Sequence, residues 1–414
     1  MRRATILLAA LFAAVLPLAA ASPAAASSLC DTMRSQLLSG GGEASGLLVV
    51  EAESGDVVCS RAAQRPRPLA SNMKLFTSAT ALARFGTEYR IPTKLLRDGR
   101  IDSSGVLHGS LYLVGGGDPA LGVPAFYGRY HGGLGTNLLL LKRQTREAGI
   151  RRVTGRLYAD DTIFDRLRGV AYSNYGLTGE IGPLSGLDFD SGYTTPGALA
   201  FASDPAKVAA STLASALRGA GVRISRTVAL GKAPPAAKRV GVVYSPTLNR
   251  IVDFTDVNSY NFFAEMLIKL LGASFGGGGT TAAGAAVVEQ FAQSLGAGVH
   301  AIDGSGLTRD NLASPQQVVT LLRAMQGQPA GEQFIQDLAL AGEEGTVADR
   351  MHGTAAFGRC RTKTGTIDSV SNLSGYCFNR DGKVMLFSIL MGSVTNLELA
   401  HLEQDRIAAA VAGY

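Results

Sequence analysis

The sequence predicts an α+β fold, in which an antiparallel sheet drawn from both ends of the chain carries helices and is interrupted by a strand-rich insertion. Three observations point there. Two β-rich runs joined by a Glu-Ser-Gly turn, Ser45-Gly-Leu-Leu-Val-Val-Glu-Ala-Glu and Asp56-Val-Val-Cys-Ser, stand near the start. Strand-like runs around Lys363, Cys377 and Met385 form a meander near the end. From about Thr87 to Tyr244 the texture changes to short strands, Gly-rich turns and a few helices. The predicted organisation is a leader at 1–26, one domain formed by 27–86 and 245–414, and an inserted domain at 87–244.

Each element has a local cause. Arg2 and Arg3, the apolar run Ala4–Ala21 and the small residues Ala24-Ala-Ala26 read as a secretory signal, cleaved after Ala26 or alternatively after Ala21. Pro17 breaks that run, which is short for a membrane span. Leu29, not a small residue, precedes Cys30, which argues against a lipoprotein anchor. Beyond Ser71, a stripe of Leu75, Phe76, Ala79, Leu82 and Ala83 predicts a helix ended by Gly86. Asp204 as N-cap, Pro205 at the first helical position and Gly219 as stop mark another. Ser314-Pro-Gln-Gln317 opens a helix with a capping box, closed by Gly327, and a last helix runs from about Asn396 to Ala412. Val384-Met-Leu-Phe-Ser-Ile-Leu-Met391 has the length of a buried strand.

Composition bounds the function. With 414 residues, 46% hydrophobic and 17% charged, the chain has room for two or more domains. The net charge of +6 falls to +4 without Arg2 and Arg3, a mild excess suited to an anionic cell wall. No basic patch interleaved with aromatics points to nucleic acid. Four cysteines in an exported chain are expected to pair; three connectivities are open, and Cys30–Cys59 with Cys360–Cys377 is favoured because each pair brackets neighbouring strands. The five histidines lack ligand spacing, so neither a metal site nor a cofactor is expected. Gly276-Gly-Gly-Gly279 lacks the lysine of a phosphate loop and reads as a connector.

Ser71-Asn-Met-Lys74 is the most informative stretch. On a helix it stacks a hydroxyl and an amine on one face. Serine needs a neighbouring base to act as a nucleophile, and a lysine becomes one when burial disfavours its ammonium form. Ser71 at a helix N-terminus would also place free N–H groups beside a developing oxyanion. Alone, the pattern is equally a serine cap followed by a solvated lysine. Two further motifs follow in order: Ser259-Tyr-Asn261, directly before the helix-like run Phe262–Leu271, and Lys363-Thr364-Gly365-Thr366, within strand-like sequence.

These three motifs, Ser-x-x-Lys, Ser-x-Asn and Lys-Thr-Gly, make the chain resemble the penicillin-recognising serine enzymes. Ser71 and Ser259 lie 188 positions apart. That long interval is similar to the low-molecular-mass class C penicillin-binding proteins, the D-alanyl-D-alanine carboxypeptidase/endopeptidase family. Tyr112-Leu-Val-Gly-Gly-Gly-Asp118-Pro, Asp160-Asp-Thr-Ile-Phe-Asp165, Asp303-Gly-Ser-Gly-Leu307 and Val370-Ser-Asn-Leu-Ser-Gly-Tyr376 also resemble that family. Members often carry a further domain nested in the insertion. Only 17 positions separate Leu187 from Asp204, so that unit is expected to be missing or vestigial.

The resemblance implies the penicillin-binding-protein/serine β-lactamase-like transpeptidase fold and a periplasmic, secreted or wall-associated hydrolase acting on peptidoglycan stem peptides. It implies that Ser71 is the nucleophile, Lys74 its base and Ser259 a proton relay. Asn261 would hold the substrate's peptide group, and Lys363, Thr364 and Thr366 its terminal carboxylate. β-Lactams would acylate Ser71. Tyr260 stands where an aspartate is common, and is expected to alter packing and leave the chemistry intact. A β-lactamase of the same fold is the nearest rival, but no glutamate between the second and third motifs has a Glu-x-x-Leu-Asn context. An inactive wall-binding homologue is a third reading, disfavoured because a binder needs no acylatable serine.

Overall fold

The computed structural model describes residues 23–194, 197 and 200–414. The expected leader lies almost wholly outside the described residues, and the description opens on helix α1 (Pro23–Gly41), so Ala24–Ala26 fall within its first turn. An antiparallel pair follows, β1 (Gly46–Glu51) and β2 (Val57–Arg61), joined by the tight turn at Gly55, where φ is +79°. Cys30 of α1 is bonded to Cys59 of β2. Helix α2 (Met73–Phe85) comes next and ends at Gly86. It is not the amphipathic helix expected: every residue from Met73 to Leu82 is buried, while Ala83, assigned to the apolar stripe, is exposed. Helices on several sides enclose it, so no solvent face remains to set a period.

Residues 92–244 build a second sheet of their own. Its strands are β3 (Pro92–Arg97), β4 (Leu111–Val114), β5 (Leu157–Asp160), β6 (Val228–Leu230) and β7 (Lys238–Tyr244), in the order β6-β5-β4-β3-β7. Strand β5 runs parallel to β4 and β6, and β3 antiparallel to β4 and β7. Helix α3 (Pro205–Gly219) covers it, burying Ala210, Leu213 and Leu217 against Leu113 and Leu157. The Asp204 carboxylate caps it, accepting the Lys207 N–H at 3.3 Å. The helix runs through the expected stop at Gly219, and the chain turns away at Gly221, where φ is +84°. This segment is not self-contained. Ile91, Ala120, Leu134, Phe164, Ile181 and Leu184 belong to the core formed by α2 and the helices that follow.

After β7 the chain forms four helices, α4 (Leu248–Val257), α5 (Asn261–Phe275), α6 (Thr281–Ser294) and α7 (Pro315–Gln326). Gly284 lets α5 and α6 meet backbone to backbone: a Cβ there would lie 1.8 Å from the Ile268 carbonyl oxygen. The capping box of α7 is present, with the Ser314 hydroxyl and Gln317 side chain satisfying each other's backbone N–H groups. A short helix at Gly331–Gln336 leads to β8 (Ala339–Leu340), β9 (Cys360–Ile367), β10 (Val370–Phe378), β11 (Val384–Gly392) and α8 (Leu397–Gly413).

The main sheet is antiparallel throughout, in the order β8-β9-β10-β11-β1-β2, so both chain ends supply it. Its central strands are buried on both faces, and the period of two sorts their side chains. Leu47, Val49, Met385, Phe387 and Ile389 pack with Met33 and Leu37 of α1 and Ile407 and Val411 of α8. Leu48, Val50, Leu386 and Leu390 pack with Val318, Leu321 and Leu322 of α7. Among the described residues no helix is long and apolar enough to cross a membrane.

Cys360 and Cys377 sit directly opposite each other on β9 and β10 and are bonded, closing a loop with a sequence separation of 17. Constraining a loop of that size stabilises by about 3 kcal/mol in the chain-entropy account. Cys360→Ser combined with Cys377→Ser should therefore lower the free energy of unfolding by about that amount. Urea titration checks this, and an unchanged midpoint would show that the strand register needs no bridge.

Candidate active site

Four separated stretches converge where α2 begins. Ser71 lies in a 3-10 turn, Ala70–Asn72, immediately before α2, and not in the α-helix itself. Ala70 has φ +46°, a left-handed conformation that a non-glycine residue holds only when its surroundings impose it. The constraint comes from outside the turn. The Leu69 N–H bonds to the Asn311 carbonyl at 2.9 Å, and Gly306 (φ +89°) presses against the Ala70 carbonyl, leaving no room for a side chain. Asn72 is fully buried; its amide donates to the Lys363 carbonyl at 3.0 Å and its oxygen accepts from the Ser374 hydroxyl at 2.7 Å. Asn372 completes the tie, donating to the carbonyls of Pro68 and Leu69.

Lys74 is wholly buried, and its Nζ has three partners: Ser71 Oγ at 2.9 Å, Asn261 Oδ1 at 2.7 Å and the Ser305 carbonyl at 2.7 Å. The last two can only accept, so a neutral amine gives them its two N–H groups and turns its lone pair to the Ser71 hydroxyl. Burial pushes the amine down to about 7, reinforced by the Lys363 charge and opposed by Asp256, Glu265 and Asp303. The Ser305 carbonyl is aimed by a loop whose backbone is held by two carboxylates. Glu265 Oε1 accepts the Gly304 and Ser305 N–H groups, and Asp303 accepts those of Gly306 and Thr308 and the Asn311 amide. Sequence reasoning singled out Asp303–Leu307 and Val370–Tyr376 only as family-like stretches. Backbone acceptors such as Ser305 O leave no trace in residue type.

The second motif sits in the turn between α4 and α5. Ser259 has φ +54°, and no side-chain hydrogen bond fixes it among the described residues. Tyr260 turns away from its neighbours into an aromatic cluster with His131, Phe254 and Phe263, at ring distances of 5.0–5.5 Å. Asn261 opens α5, and with its oxygen taken by Lys74 its amide N–H groups remain for another acceptor.

The third motif lies on β9. The short strand β8 pairs with β9 only at Arg361 and Thr362, so from Lys363 to Ile367 the outer edge of β9 is open, a template for an extended peptide. Lys363 is fully buried; its Nζ donates to the Thr364 carbonyl at 3.1 Å, and burial lowers its affinity for a proton while the Asp256 charge opposes that. The Thr364 hydroxyl bonds to Thr346 at 2.8 Å, a partner the sequence did not suggest, while Thr366 is exposed on the edge. Gly365 is required where it stands: a Cβ would come within 3.0 Å of the Ser71 nitrogen and 2.9 Å of the Leu69 oxygen.

Residues 31–176 and 185–412 match the model of the D-Ala-D-Ala carboxypeptidase 3 (S13) family. The chain belongs to this family. Its activity class is that of a serine-type D-Ala-D-Ala carboxypeptidase. A D-alanyl-D-alanine carboxypeptidase of Actinomadura sp. (strain R39) is 30% identical, covering 90% of this chain and 82% of that protein. A carboxypeptidase of Mycobacterium tuberculosis is 26% identical over 83% of this chain and 75% of the relative. Among solved structures, penicillin binding protein 4 of Haemophilus influenzae shares the fold with a TM-score of 0.78, covering 92% of this chain and 99% of that one at 18% identity.

For this S13 carboxypeptidase two outcomes follow from the geometry. The amine form of Lys74 is the one able to take a proton, so Ser71 acylation by penicillin should rise as pH increases through about 7. Timed mass spectrometry of the adduct across that range checks the sign. Gly365→Ala should move β9 off Ser71 and slow acylation by about tenfold or more while the melting temperature changes little. An unaltered rate would mean that the strand edge takes no part.

Proposed function

We propose that this chain removes the terminal D-alanine from peptidoglycan stem peptides, and cuts D,D cross-links between them, through an acyl-enzyme on Ser71. The observation that carries the reading is the buried Lys74 amine held between the Ser71 hydroxyl and Asn261. Lys74 takes the Ser71 proton as Oγ bonds to the carbonyl carbon of the penultimate D-alanine. The N–H groups of Ser71 and Thr366 receive the oxyanion. The C–N bond then breaks, and the leaving amine takes a proton relayed through Ser259. Water hydrolyses the ester and restores Ser71. Asn261 donates to the substrate's peptide carbonyl, while Lys363, Thr364 and Thr366 hold the carboxylate beside the open edge of β9. Penicillin enters the same course and leaves a slowly hydrolysed ester.

In this reading residues 27–86 and 245–414 form the catalytic domain, and 87–244 is an insertion carried beside it. The enzyme works outside the cytoplasmic membrane, at the cell wall, where its small positive excess favours an anionic polymer. Incubation with purified muropeptides should release D-alanine from pentapeptides and resolve D,D-linked dimers, both read by mass spectrometry. Ser71→Ala should abolish both, and Lys74→Ala should slow acylation by about 10²–10⁴-fold, the usual worth of a positioned general base. A penicillin adduct on any residue other than Ser71 sinks this mechanism.

A further inference from the structure

Asp256 has no part in the chemistry above, yet it is fully buried in the last turn of α4, with neither carboxylate oxygen accepting a hydrogen bond. A buried carboxylate without a donor is costly, so it calls for a partner of another kind. Its position narrows the choice. It lies three residues before Ser259, whose N–H reaches the Asp256 carbonyl at 3.4 Å, and α4 packs on α2. Across that contact is Ser78, one turn beyond Lys74, whose buried hydroxyl makes no well-aligned bond yet faces Asp256 and favours its charged form less than the Lys363 ammonium does.

The charged groups that act on Asp256 come from each neighbouring element: Lys363 on β9 most strongly among the charges, then Lys74 on α2, with Asp253 on α4 itself and Asp337 ahead of β8 as like charges. Burial holds the carboxyl well above its ordinary range, and Lys363 and Lys74 pull it back. The other acids near Lys74 are already engaged: Glu265 and Asp303 hold the 303–308 loop through Glu265 Oε1 and both Asp303 oxygens. For Lys363 the acid that acts is Asp256, since Lys363 otherwise meets only the Thr364 carbonyl.

We propose that Asp256 is the counter-charge of the two-lysine centre, a positioning residue that keeps Lys363 an ammonium for the substrate carboxylate while Lys74 serves as an amine. This rests on the assignment of Lys74 as base and Lys363 as carboxylate holder. The Lys363 charge depresses Lys74, and the one carboxylate, acting more strongly on Lys363 than on Lys74, decides which of them keeps its proton. Asp256→Asn keeps the shape and removes the charge. Both lysines then lose protons more readily, Lys363 more than Lys74.

The test is the pH dependence of the second-order rate of Ser71 acylation by benzylpenicillin, in the full chain and in Asp256→Asn. In the unaltered protein the rate should rise as Lys74 loses its proton and fall as Lys363 does. Absence of a Ser71 adduct there overturns the underlying mechanism, and this proposal with it, before the variant is considered. With that profile in hand, Asp256→Asn should move the alkaline limb about one pH unit lower, leaving about a tenth of the rate on that limb. The acid limb should move less, in the same direction. A uniform loss at every pH, or limbs that stay in place, overturns the counter-charge role. If Asp256→Asn folds poorly, adding Lys363→Met decides: a recovered melting temperature supports the pairing, and a further loss overturns it.

Discussion

A lysine amine sealed from water, with hydrogen-bond partners one turn back and in two distant stretches of chain, constrains the rest of this structure. Lys74 on α2 must reach Ser71 one turn back, Asn261 at the start of α5 and the Ser305 carbonyl in the loop after α6, all within 2.9 Å. Each partner must then be immobile, because an amine released by one of them would either re-solvate or leave a buried acceptor unpaired. That requirement explains why the 303–308 loop spends three carboxylate oxygens on its own backbone and amide donors. It also explains why Asn72 is sealed between β9 and β10.

Burial of this amine has a definite size. Moving it from 10.5 to about 7 amounts to about 5 kcal/mol against the ammonium form, several times the net worth of one hydrogen bond. No single contact produces that; the enclosure by α2, α4, α5 and the 303–308 loop does. The acids Asp256, Glu265 and Asp303 oppose it and stop the shift from going further. The same enclosure accounts for a helix α2 buried from Met73 to Leu82, polar Thr77, Ser78 and Thr80 included. Thr77 and Thr80 hydroxyls are absorbed by the Gly304 and Phe76 carbonyls, which lets a helix with no solvent face carry polar residues.

What could be read from the sequence is what local chemistry encodes. Caps and stops gave α3, α7 and α8 to within a residue or two, because Asp204, Ser314 and Asn396 each satisfy a backbone N–H at a helix start. Strand-like runs, a turn signal and strand length marked β1, β2, β9, β10 and β11 of the main sheet but not the two-residue β8, and strand proximity favoured both disulfides. The three motifs gave Ser71, Lys74 and Asn261, which the fold brings into direct contact. Hidden were the groups whose part depends on pairing across hundreds of residues: Asn72 with Lys363, Asn372 with Leu69, Ser305 O with Lys74. Their residue types suit any turn or strand. The stripe expected on α2 holds for Leu75, Phe76, Ala79 and Leu82 and misses at Ala83, because periodicity reports a solvent boundary and from Met73 to Leu82 this helix has none.

The described residues between 87 and 244 supply no group to the Lys74 cluster, yet they bear on the second motif through packing. Ser259 holds φ +54°, a conformation that costs of order 1–3 kcal/mol in a non-glycine residue and persists only when its surroundings over-determine it. The flanking anchors are Asn261, tied to Lys74, and Tyr260, whose ring is enclosed by His131 from that segment and by Phe254 and Phe263 from α4 and α5. His131 is itself fixed against Ser191 at 3.3 Å, and burial drives its imidazole down to about 4, so it stays neutral and apolar toward the rings. Aromatic contacts of this kind contribute about 0.5–1.5 kcal/mol each beyond area, enough together to offset the strain at Ser259. The residue that departs from the expected aspartate is thus the one that pins the turn, and packing rather than a side-chain hydrogen bond of its own holds Ser259 there.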